Sequence, residues 1–137
     1  MTRWRIAAAA IVLIIVVGAC IHWQSQRAQK RRDATYESAL RSYSAKFPIG
    51  SSRKQVEDYL HLKQVEFWQE FGSGSLDAPT DLVPIGRDPA PWYCSSWRVY
   101  VALDFTALLK QGELQLNPRD SDELRRIRLR WMGEGCL

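Results

Sequence analysis

The sequence predicts an α+β protein in which an N-terminal membrane helix precedes two helices packed on a three-stranded antiparallel sheet, in the order ααβββ. Three observations predict it. An unbroken apolar run, Ile6–Ala19, follows two arginines at the N-terminus. Two later stretches, Asp33–Lys46 and Ser52–Lys63, carry apolar residues at helical spacing. Two further stretches, Trp97–Thr106 and Glu123–Trp131, alternate apolar and polar residues as half-buried strands do. The domains expected are 1–23 as a membrane anchor or signal segment, 24–46 as a basic juxtamembrane helix or linker, and 47–137 as a small α+β domain.

The first 32 residues hold six basic side chains and no acid, whereas the rest holds 13 basic and 15 acidic residues. The basicity therefore belongs to the N-terminal segment, and the domain lacks the positive balance of a nucleic-acid-binding protein. Two readings of Ile6–Ala19 stay open. Val17-Gly18-Ala19-Cys20 resembles the end of a bacterial lipoprotein signal, with valine where leucine is the stronger entry and Cys20 as the residue that takes lipid. Alternatively, the stretch from Trp4 to Trp23 has the length of a signal anchor, with tryptophans at the two membrane interfaces. The Arg27–Arg32 cluster reads as a solvated face touching anionic headgroups. By itself, positive charge there favours a cytoplasmic domain.

Tyr36, Ala39, Leu40, Tyr43 and Phe47 form the apolar stripe of the next helix, which Pro48 and Gly50 end. Ser52 and Gln55 have the spacing of a capping box opening a second helix, with Val56, Tyr59 and Leu60 inward. Val65–Phe71 is the first strand candidate. Leu76–Pro91, with four prolines, reads as a long irregular loop of the kind that is usually functional or disordered. Ala107–Asp122 is a second long connection, in which Leu114 and Leu116 suit either a short extra strand or simple packing onto the domain.

Residue numbers opposed across an antiparallel pair sum to a constant. Pairing Val101 with Leu129 also pairs Leu103 with Ile127 and Val99 with Trp131, and sets Asp104 opposite Arg126 on the other face. A slip of one residue would bury arginines, so this register is specified. Cys94 and Cys136 share the same sum and are expected to meet as a disulfide at the open end of the hairpin. A pair there plus one lipidated cysteine accounts for all three cysteines and points to an extracytoplasmic domain. A cytoplasm-facing domain would keep Cys94 and Cys136 as thiols.

Gly50, Ser52, Val56 and Leu60 match in spacing the Gly-x-Ser/Thr-x-x-x-Val-x-x-x-Leu signature of the SmpA/OmlA (BamE-like) domain of bacterial envelope lipoproteins, which the chain resembles over Phe47–Trp131. The resemblance implies two helices on a three-stranded antiparallel sheet and a place in the cell envelope. His61-Leu62-Lys63 stands where the family has Gly-x-Pro, and the loop Gly72–Pro91 is longer than the family's.

No metal-ligand spacing, phosphate loop or nucleophile elbow is present, so no cofactor or metal is expected. Glu66, Glu70 and Asp104 are the carboxylates an envelope enzyme would use; a solvated strand face and a cross-strand ion pair are their blander readings. The residues singled out for partner binding are Trp68, Phe71, Trp92, Tyr93 and Trp97, more aromatic surface than a small domain easily buries. Their blander reading is a core beneath the long loop. The function expected is that of a membrane-tethered, non-enzymatic envelope protein that contacts membrane lipid and binds a protein partner.

Overall fold

Alternation of Val99, Val101, Leu103 and Phe105 against Ile127, Leu129 and Trp131 builds the central hairpin of the computed structural model, which describes residues 2–70, 79–106, 109–110, 113–114 and 119–136. By strand, β3 (Ser96–Phe105) pairs antiparallel with β6 (Leu124–Glu134). Val101 lies opposite Leu129, Leu103 opposite Ile127, Val99 opposite Trp131 and Asp104 opposite Arg126, the register the alternation requires. A bulge after Asp104 brings Phe105 opposite Leu124.

The sheet has four described strands, not three, in the order β1-β2-β3-β6. The added strand is β2 (Thr80–Asp88), which lies within the stretch expected to be a loop. Its sequence hides it for two physical reasons. Thr80, Asp81, Leu82 and Val83 are all buried, so both faces are covered and no apolar-polar alternation marks it. Pro84 also argues against an internal strand. It is tolerated because β1 (Trp68–Glu70) covers only Thr80–Leu82, and because the register shifts between Pro84 and Gly86. The Val65–Phe71 candidate reduces to β1, and Phe71 lies outside the described residues. Two-residue strands β4 (Leu109–Lys110) and β5 (Glu113–Leu114) pair with each other apart from the main sheet.

The expected membrane helix is also corrected. Helix α1 (Thr2–Lys46) is 45 residues long, but among the described residues no helix is long and apolar enough to cross a membrane. Past Trp23 the helix turns polar, with Gln24 and the basic cluster Arg27–Arg32.

The chain divides into two units, Met1–Thr35 and Tyr36–Leu137. The first is helix α1 up to Thr35, stitched by local contacts such as Arg27 over the Trp23 ring. In the second, the end of α1 and helix α2 (Arg53–Leu62) cover one face of the sheet. Phe47, Val56 and Leu60 pack on Val83, Val101, Leu103, Phe105 and Leu124. Ser52 and Gln55 form the capping box of α2, each taking the other's backbone N–H. The carbonyls of Asp122 and Asp120 accept from Arg53 and Lys54, so the loop before β6 satisfies the other free donors of the first turn. Tyr36 is buried, and its hydroxyl donates to the Arg87 carbonyl at 3.0 Å and the Asp88 carboxylate at 3.1 Å. Its ring fits because residue 86 is glycine: a Cβ there would lie 2.7 Å from the Tyr36 ring.

Candidate functional site: the disulfide-braced tip

Cys94 and Cys136 are joined by a disulfide, with Cα atoms 3.9 Å apart. The bond closes the end of the sheet where β3 begins and β6 ends. Gly133 makes room for it, since a Cβ there would lie 2.5 Å from the Cys136 sulfur and 3.3 Å from the Trp97 indole nitrogen. Around the bond, the Ser95 amide and hydroxyl both donate to the Glu134 carbonyl, at 2.9 and 2.6 Å. The Ser96 hydroxyl donates to the Glu134 carboxylate at 2.8 Å. That hydrogen bond, with Arg98 beside it, holds the Glu134 carboxyl below the usual range.

On this frame stand the aromatics. Trp92 is 91% exposed and meets Tyr93 edge to face, ring centroids 5.8 Å apart. Tyr93 is itself exposed, and Trp97 is half-buried beside the disulfide. Trp131, which the sequence reading placed in the apolar row of β6, is 42% exposed, and its indole N–H donates to Asp88 at 2.9 Å. Four of the residues in play therefore share one end of the sheet: Trp92, Tyr93, Trp97 and Trp131.

Trp68 does not join them. It sits on β1 opposite Leu82, on the sheet face away from the helices, and packs edge to face on Tyr100. An open groove of about 580 Å³ runs beside it, lined by Glu57, His61, Val65, Glu66, Phe67 and Gln69. Cys20 is an exposed thiol in the first unit.

Of the three carboxylates singled out for acid–base work, Asp104 and Glu70 are occupied by arginines. Burial alone would raise the Asp104 pKa, but hydrogen bonds from Arg128, Arg126 and Thr80 outweigh it and hold the carboxyl low. Glu70 takes both guanidinium nitrogens of Arg130. Glu66 is exposed. Among the described residues no cluster of three metal-ligating side chains forms.

Sequence reading missed the buried charge pair. Arg53, on the first turn of α2, reaches Asp81 on the helix-facing side of β2, and both are fully buried. The same guanidinium takes Glu57 at 2.6 Å and lies over the Phe105 ring. Burial, partly offset by Arg53, pushes the Asp81 carboxyl from 3.8 up to about 7. The available signal was an arginine at an inward helical position, three residues before Val56, together with an aspartate between Thr80 and Leu82. That signal is hidden because Asp81 lies on a strand that carries no apolar-polar alternation.

No family model, curated protein or solved structure matches the chain.

Proposed function

We propose that this chain is a membrane-tethered, non-enzymatic protein of a bacterial cell envelope, whose domain 36–137 sits outside the cytoplasm and binds another protein through the disulfide-braced tip. The observation that carries the reading is the tip itself. A tryptophan 91% exposed beside an exposed tyrosine, on a loop fixed by a disulfide, is the form of a preorganised aromatic anchor. Disulfides persist in oxidising compartments, which supports the extracytoplasmic address. The tether follows from the first unit. Cys20 behind Val17-Gly18-Ala19 is the position at which a lipid would be attached.

A photo-reactive residue at Trp92 in intact cells tests the binding site. One adduct of defined mass is expected from Trp92 and none from Lys54, an exposed position on α2. Equal labelling from both positions would contradict a binding tip.

A further inference from the structure

Strand β6 is one of the two edge strands of the main sheet, and its far edge is already in use at one end. Gly50 donates to the Leu124 carbonyl and Leu124 donates to the Ser51 carbonyl, both at 2.8 Å, while Ser52 bridges to Glu123. Past Leu124, from Arg126 to Glu134, no described strand pairs with β6 on that side. This edge is long, contains no proline or lysine, and its one bulge lies at its start. A row of backbone donors and acceptors of that kind is a template for another strand.

Its two faces specify what that strand must be. On one face Arg126, Arg128 and Arg130 follow at alternate positions. Arg126 and Arg128 share the single carboxylate of Asp104, and Arg126 remains 63% exposed. Arg130 reaches across to Glu70. On the other face Ile127, Leu129 and Trp131 meet Leu103, Val101 and Val99 on the inner side, and Trp131 is 42% exposed. A strand added outside β6 would therefore gain by placing acids beside the arginines and apolar residues beside Ile127, Leu129 and Trp131. A second copy of this chain is disfavoured. Antiparallel β6–β6 pairing would set the arginine rows against each other, and like charges directly opposite are destabilising.

We propose that the outer edge of β6 accepts an extended segment of a protein partner, alternating acidic and apolar residues, as a further strand. Backbone hydrogen bonds supply the attachment and the arginine row the selectivity, the mode known as strand addition. This rests on the protein-binding reading and adds the chemistry of the bound segment, on a surface distinct from Trp92.

The test uses the oxidised chain purified from membranes in detergent, with a short capped peptide alternating Val and Glu and a second alternating Val and Lys. Binding is followed by fluorescence polarisation of a dye-labelled peptide and by amide exchange. The Val–Glu peptide is expected to bind, to protect amides within Arg126–Glu134, and to weaken with salt. Arg126→Glu should weaken it about tenfold or more and favour the Val–Lys peptide. Arg126→Gln, with an unchanged circular dichroism spectrum, should give an intermediate loss. Binding of neither peptide, equal binding of both, or protection at β1 instead of β6 would overturn the proposal, leaving the arginine row as a guard against self-pairing. The Trp92 crosslink would still be seen if only this proposal failed, and would be lost if the tip reading failed.

Discussion

Arg53 is the residue on which the helix layer and the sheet are electrostatically joined. With Asp81 it forms an ion pair with both partners fully buried, and removing one partner leaves the other charge stranded. At about pH 8, where the Asp81 carboxyl is ionised, Arg53→Met is expected to lower unfolding free energy by about 3–5 kcal/mol, whereas Arg53→Met with Asp81→Leu should recover most of that loss. Chemical denaturation of the three proteins checks it. The pair also sets a pH dependence. The folded state holds the Asp81 proton up to about pH 7, whereas the unfolded chain releases it near 3.8. Between those values the folded state binds more protons, so stability falls as pH rises from about 4 to 7. Asp104 acts in the opposite sense, because its folded pKa is depressed; its contribution is present above 3.8 and is lost as pH drops further. Asp81→Asn should flatten the dependence between pH 4 and 7, and midpoints measured across that range would show it. At Gly86 the constraint is steric. Gly86→Ala drives a methyl into the Tyr36 ring, and overpacking of this kind costs about 1–3 kcal/mol.

At the scale of elements, the disulfide and the central hairpin hold the tip. The bond links residues 42 apart, and in the chain-entropy model closing such a loop is worth about 4 kcal/mol. Cys94→Ser with Cys136→Ser should therefore lower stability by roughly 2–4 kcal/mol and speed amide exchange at Ser95 and Ser96 before the hairpin centre. Uniform exchange along β3 would show that the tip is not a separate unit. The same elements show what sequence can reveal. The β3–β6 register was legible because one face is buried and the other carries Arg126, Arg128 and Arg130, so a slip has an obvious cost. The capping box of α2 was legible because Ser52 and Gln55 act over four residues. Strand β2 was not, because burial on both faces erases alternation and Pro84 mimics a loop. With β2 lost, Asp81 lost its partner Arg53, and the four-stranded sheet was read as three. The site was half legible: arithmetic placed Cys94 against Cys136, and composition marked Trp92 and Tyr93. Only the sheet shows that Trp68 stands apart and that Trp131 joins the tip.

At the scale of the whole molecule, two features ask for surroundings that the chain does not itself provide. The lipid proposed on Cys20 would need a membrane, and a bond such as Cys94–Cys136 persists in an oxidising compartment. Both are met if the domain is tethered on the outer side of a membrane. The disulfide is the part of this account most directly open to measurement in the cell. Intact cells are treated with a membrane-permeant alkylating reagent and lysed in denaturant with more reagent, and the chain's mass is read with and without prior reduction. Cys94 and Cys136 are expected to stay unlabelled until reduced, with Cys20 carrying lipid and no label. Both cysteines labelled without reduction would place the domain in a reducing compartment and contradict the envelope reading.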